Sequence, residues 1–258
     1  MARSTYFYQV KANERPDKNA WLKKQIQTIY HRHNGRYGYR RITMAIRNAG
    51  HRVNHKTVQK IMQTLNLKSC VRIKKYHSYK GYLGKTANNL LRREFAASKP
   101  NIKWVTDVTE FRVHGQKLYL SPIMDLFNGE IIAYKITRAP VYGLIRDMLL
   151  KALRKLQPGE KPMLHSDQGW QYHMPDYRKC LKENGLIQSM SRKGNCLDNA
   201  AMESFFATLK SECLYTSKFD SVEQLEKQLH HYIHYYNHDR IKLKLKGMSP
   251  VQYRNQMY

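Results

Sequence analysis

Between Asn101 and Met190 short alternating apolar runs, turn signals and amphipathic stretches follow one another at a spacing that few folds accept. Alternation over Lys103 to Phe111 predicts a first strand, Lys117 to Met124 a second and Ile131 to Ile136 a third. Asn128-Gly129 between the last two is a strong hairpin signal. From there helix and strand take turns: an amphipathic helix over Leu144 to Leu156, a strand over Pro162 to His165, a helix over Met174 to Glu183, and a strand over Ile187 to Met190. The order predicts a mixed five-stranded sheet flanked by helices.

Three acids stand where such a sheet can present them. Asp107 lies inside the first strand run, KWVTDVTEF. Asp167 follows an apolar run and precedes a glycine in MLHSDQGWQY, which suits a strand delivering a carboxylate at its C-terminal end. Glu203 comes after a Gly/Asn turn, on the helical pattern of GNCLDNAAMESFFATLK. Taken singly, an Asp at a strand end is a turn or cap residue and a helical Glu is a solvated one. Converging, the three suit a hard divalent cation, and phosphoryl-transfer sites often use two. On the Glu203 helix, Asn199, Phe206 and Lys210 share the side of the acid. That places Asn199 to orient Glu203 or its water, and Lys210 to hold a phosphate beside the acids. Asp125 is a weak fourth candidate with a structural job at the hairpin, and Glu110 alternates to the opposite face from Asp107.

The formal charge of +27 is unevenly spread: 19 of the 46 Lys/Arg and none of the 19 Asp/Glu fall between Lys18 and Arg93. Beside a polyphosphate such a segment gains by releasing counterions, so nucleic acid is the expected partner. Its first part reads as a small all-helical domain. Trp21, Leu22, Ile26 and Ile29 share one face, Tyr39 to Asn48 is a helix stopped by Gly50, and Asn54 caps a third helix carrying Val58, Ile61, Met62 and Leu65. The last two fit a helix-turn-helix with Lys56 and Lys60 facing DNA; a plain three-helix bundle is the rival reading. Beyond it, Tyr76, Tyr79 and Tyr82 interleave with Lys74, Lys75 and Lys80, and Arg92 and Arg93 follow, a basic stretch suited to the DNA backbone or to a solvated linker.

WVTDVTEF, IMDLFNGEIIAY, HSDQGWQY, GNCLDNAAMESFFATLK and YNHDRIKLKLKGMSPVQYR, in that order, resemble the second-frame product (OrfB) of IS-three-family insertion-sequence transposases, part of the DDE superfamily with retroviral integrases. The resemblance covers roughly residues 35 to 255. It implies an RNase H-like core that sets the first and fourth strands side by side, joining Asp107 to Asp167. It also implies Asp107, Asp167 and Glu203 as catalytic metal ligands for two Mg²⁺, with Mn²⁺ as substitute. The implied reaction is end cleavage and strand transfer on the terminal inverted repeats of a mobile element. Further implications are a homo-oligomer at work, an upstream-frame product (OrfA) or OrfA-OrfB fusion as partner, and a cytoplasmic, nucleoid-associated location. Trp170 departs from the pattern by replacing a small residue, and Lys242, Lys244 and Lys246 make the following tail unusually basic.

The expected organisation is an N-terminal segment (1–16, with Tyr6, Phe7 and Tyr8 as a docking handle), a helix-turn-helix domain (17–67), a basic linker (68–100), the catalytic core (101–215) and a helical extension (216–258). In the extension, Ser221 with Gln224 resembles a capping box, and Arg240 and Tyr253 brace the tail. His230, His234 and His238 recur on a helix whose core face is Leu229, Tyr232, Ile233 and Tyr236, which disfavours a metal reading. The four cysteines form no framework, and neither a secretory leader nor a membrane span is expected. The alternatives to a transposase are a non-catalytic DNA-binding regulator or remnant, indifferent to the three acids, and a nuclease for RNA–DNA hybrids, which leaves the helix-turn-helix unexplained.

Overall fold

The computed structural model describes residues 3–13, 17–69, 87–192, 196–214 and 218–258, so Lys74 and Lys75 lie outside the described residues. The chain divides into two compact units, residues 1–70 and 71–258.

In the first unit α1 (Arg3–Asn13) leaves Tyr6, Phe7 and Tyr8 exposed. Helices α2 (Ala20–Arg32), α3 (Tyr39–Asn48) and α4 (His55–Thr64) close around Leu22, Ile26, Tyr37, Ile42, Ile46, Val58, Ile61 and Met62. Gly50, at φ +88°, turns the chain after α3. The Asn54 side chain accepts the Lys56 N–H and caps α4. Trp21 is not on the packed face: it stays exposed, its ring edge-on to His51 at 4.6 Å.

The second unit is a six-stranded sheet with a helical layer on each face. Its strands are β1 (Lys103–Thr106), β2 (Thr109–Val113), β3 (Gln116–Asp125), β4 (Ile131–Thr137), β5 (Met163–Ser166) and β6 (Ile187–Met190). The count is six rather than five because the single run read over Lys103 to Phe111 breaks at Asp107-Val108. Both pieces run antiparallel to β3, β1 against its end and β2 against its beginning. β4 pairs the other edge of β3 across the Asn128-Gly129 turn, where Gly129 takes φ +70°. β5 joins β1 in parallel, and β6 joins β5 in parallel. Alternate side chains feed two cores. Trp104, Ile123 and Leu164 pack with α5 (Tyr142–Leu153) and α6 (Pro175–Glu183). Val105, Leu118, Leu120 and Met124 pack with α7 (Ala200–Leu209) and α8 (Val222–His238). Residues 87–100, read from the sequence as the end of a linker, belong to this unit: Leu91 is fully buried and Ser189 Oγ accepts the N–H groups of Leu90 and Leu91.

The C-terminal residues clamp the sheet. α7 continues into a π-helical turn, Lys210–Leu214, where buried Glu212 accepts from Arg240 at 2.8 and 2.7 Å and from the Tyr232 hydroxyl at 2.9 Å. Arg240 is thus the brace expected of it, and Tyr253 rests against Phe127 at 5.5 Å between centroids. Ser221 caps α8 by accepting from Gln224 N–H, but the Gln224 side chain reaches Asp220 instead of closing a box. The complete capping box is at Ser249 and Gln252, opening α9 (Pro250–Met257). From α9, Arg254 reaches buried Asp125, which also accepts from Asn101 N–H and Phe127 N–H, so Asp125 is committed to the fold. Glu212→Ala leaves the Arg240 guanidinium buried without its partner and is expected to cost about 3–5 kcal/mol in urea unfolding. Glu212→Gln, retaining one acceptor, should lose less.

Candidate active site

The pairing of β1 with β5 places the first two acids. Trp104 faces Leu164 and Val105 faces His165, a constant offset of sixty residues. Carried two residues past the register, the same offset sets Asp107 against Asp167 at the C-terminal ends of adjacent parallel strands. Both side chains are partly buried. Asp107 accepts the N–H of Val108 at 2.7 Å, and Asp167 accepts that of Gly169 at 2.9 Å. Burial and then the Asp167 charge, with Glu203 adding to it, push the Asp107 carboxyl well above the usual range, against the Val108 N–H and the Lys210 charge. Burial likewise raises Asp167, opposed by the Gly169 N–H and His173.

Glu203 sits in the first turn of α7, the helix packed on β1, and burial raises its carboxyl too. Asn199 precedes that helix and donates from Nδ2 to the Thr106 carbonyl at 3.2 Å, tying α7 to the residue before Asp107. It therefore fixes the helix rather than gripping Glu203, and its buried Oδ1 has no hydrogen-bond partner. Lys210 lies within electrostatic reach of Asp107, its ammonium 5.6 Å from the Phe111 ring centroid. Behind the aspartates, the fully buried Tyr172 hydroxyl lies beside Thr106 without an aligned hydrogen bond, raised by burial and by the charges of Asp167 and Asp107. His165 faces Ser189 and Ser191 with its two ring nitrogens, and burial lowers its pKa to about 4, so it is neutral and engaged.

Asp198, two residues before α7, went unnoticed in the sequence because a lone acid ahead of a helix reads as a cap. It is fully buried and accepts from Arg192 N–H, Nε and Nη2, from Arg93 Nε and from Asn89 Nδ2. The Arg192 guanidinium, joined by Arg93, holds its carboxyl far below the usual range. Its partners lie up to 109 residues away, beyond the reach of any local pattern. Arg93, itself exposed, thereby has a structural task, and Arg92, Lys56 and Lys60 are exposed as well. His230 contacts the Tyr134 hydroxyl at 2.8 Å, and the His234 and His238 rings stack at 4.4 Å on the outer face of α8.

Two units, one a three-helix body with a capped third helix and the other a mixed sheet carrying paired carboxylates, define a DNA-acting integrase-type protein. Family models agree: an HTH-like domain matches residues 16–76, and integrase core domains match 97–196 and 203–258. The putative transposase InsK of insertion sequence element IS150 of Escherichia coli is 56% identical, covering 99% of this chain and 90% of its relative. Transposase InsF of IS3A from the same organism is 35% identical over 89% of this chain and 81% of its own. The chain belongs to this family of insertion-sequence transposases. Among solved structures, the HTLV-2 integrase catalytic core domain in complex with magnesium aligns with 61% of this chain and 98% of its own, at 17% identity and a TM-score of 0.49.

The raised carboxyl of Asp107 carries a stability consequence. An acid whose folded pKa exceeds its unfolded value destabilises the fold once pH passes the unfolded value of about 3.9, increasingly until pH passes the folded one. Asp107→Asn at pH 7 in EDTA is therefore expected to raise the melting temperature, by about 2–4 °C per kcal/mol relieved. The gain should shrink as the pH of the scan is lowered toward 4.

Proposed function

We propose that Asp107, Asp167 and Glu203 hold divalent metal and that the chain uses them to cut the ends of an insertion sequence and join them to target DNA. The carrying observation is the adjacency of Asp107 and Asp167, an arrangement opposed by its own charge. The integrase core family is divalent-metal dependent. The residues fit such a group. All three donors are carboxylates, which suit hard cations such as Mg²⁺ or Mn²⁺. The unpartnered Asn199 Oδ1 and Tyr172 hydroxyl are polar atoms of the kind a hydrated cation satisfies. Among the described residues no three His, Cys, Asp or Glu side chains stand close enough together to hold a metal ion as they are placed. Asp107 and Asp167 are the fixed pair, and Glu203, on a longer side chain at the start of α7, is the member that turns in to complete it.

Bound there, two divalent ions would supply an activated water or 3′-hydroxyl and stabilise the leaving oxygen during in-line attack. The protein's own groups do the rest. Lys210 draws a phosphate oxygen toward the carboxylates. Asn199 keeps α7 at the end of β1, and the unpartnered Tyr172 hydroxyl, within electrostatic reach of both aspartates, is available to a water of the filled site. Neutral His165 holds Ser189 and Ser191 and takes no proton. On the first unit, Lys56 and Lys60 grip the DNA backbone beside α4, with Arg92, Lys74 and Lys75 adding charge. Pairing two element ends calls for at least two copies, and an upstream-frame product or fusion supplies end recognition. No described helix is long and apolar enough to cross a membrane, and the substrate places the protein at the nucleoid.

Glu203→Gln should lower metal-dependent nicking of a labelled duplex carrying the element's end by about a thousandfold, the several kcal/mol a bound metal contributes, with duplex binding unchanged. Equal nicking by both proteins would remove Glu203 from the site. Tyr172→Phe is expected to keep or raise the unfolding free energy in urea, by up to about 1–3 kcal/mol, since it deletes an unpartnered buried hydroxyl, while nicking falls. Loss of both together would make Tyr172 structural only.

A further inference from the structure

At the end of the sheet that carries the two aspartates is an apolar groove that the mechanism above does not use. Val108, Val141, Leu144, Ile145 and Trp170 form its walls, Gln171 adds one amide, and the hollow is shallow and open to solvent. Trp170 is 45% exposed and Val141 53%. The ring is held outward by local structure: a single 3-10 turn, Trp170–His173, starts at Trp170, and Tyr172 uses that turn to point into the core. An open tryptophan at the rim of an apolar hollow is an unsatisfied binding surface.

The position of the groove says what fills it. Val108 directly follows Asp107, and Trp170 comes three residues after Asp167, so the hollow lies at the same end of the sheet as the carboxylates. A DNA strand whose phosphodiester lies at those carboxylates carries a base on each neighbouring sugar. The hollow offers the aromatic face of Trp170 for one base to stack on and the Gln171 amide for that base's edge. Leaving the stack is easiest at a broken or mispaired end, and stacking on an aromatic ring tolerates any base. We propose that the groove is a nucleobase seat, in which one base beside the reacting phosphodiester leaves the helix and packs on Trp170. The inference rests on the assignment of Asp107, Asp167 and Glu203 as the reacting site.

The test uses the full chain and binding in EDTA, so that it needs no cleavage. One set of duplexes carries the element's end and another serves as target, each with a single abasic site stepped along the positions around the reacting bond. Trp170→Ala should weaken binding to intact duplex about 5- to 100-fold. Trp170→Phe should retain most of the affinity, and Trp170→Leu, which keeps bulk without a ring, should behave as Ala. At one position the abasic site should abolish the difference between wild type and Trp170→Ala, and the set containing that position identifies the base as belonging to end or target. Equal weakening on every duplex, or none, overturns the proposal, as does a Trp170→Ala defect confined to self-association in sedimentation. Failure of the underlying assignment shows separately, as nicking by Glu203→Gln equal to wild type.

Discussion

The parallel pairing of β1 with β5 is the constraint on which the structure turns. Its sixty-residue offset leaves no freedom: once Val105 pairs with His165, Asp107 and Asp167 must end side by side. Apolar side chains on both faces hold that register, since a slip of one residue would exchange Trp104 and Val105 between the two cores. Hydrophobic packing thus imposes what electrostatics opposes. The N–H groups of Val108 and Gly169 and the charge of Lys210 lessen the repulsion without cancelling it, as the raised carboxyl of Asp107 shows. What remains is a site whose resting charge favours a cation.

The third acid depends on more distant residues. Asn199 ties the start of α7 to Thr106, Asp198 gathers Asn89, Arg93 and Arg192 just ahead of it, and the Glu212–Arg240 pair sets the π turn at its other end. α7 is therefore fixed at both ends while Glu203 projects from its first turn. None of these anchoring groups needs to touch substrate to govern where the acid sits. The same division holds at the C-terminus, where Arg254 and Asp125 fasten α9 to the hairpin instead of serving the site.

Much of this was legible in the sequence because the fold obeys local rules. Alternating runs gave β3, β4 and β6 within a residue or two, Asn128-Gly129 marked the hairpin, and Asn54 marked the start of α4. The motifs around Asp107, Asp167 and Glu203 pointed to the family. The break after Thr106 was not legible, because alternation continues through Asp107-Val108 and both pieces keep one register along β3, the pairing lapsing only at those two residues. Trp21 misled for the opposite reason: it lies next to the buried stripe of α2, and helical periodicity alone does not say how wide that stripe is. Asp198 and Tyr172 were missed because, besides near neighbours such as Arg192 and Asp167, their surroundings include groups from far along the chain, Asn89 and Arg93 for the one and Asp107 and Thr106 for the other.

The central claim is that the paired strand ends form a cation site. Anomalous diffraction from a crystal of the full chain soaked in Mn²⁺ tests it most directly. The account predicts manganese between the carboxylates of Asp107 and Asp167 with Glu203 turned toward it. Manganese ordered elsewhere, with none between those two side chains at saturating concentration, would contradict it.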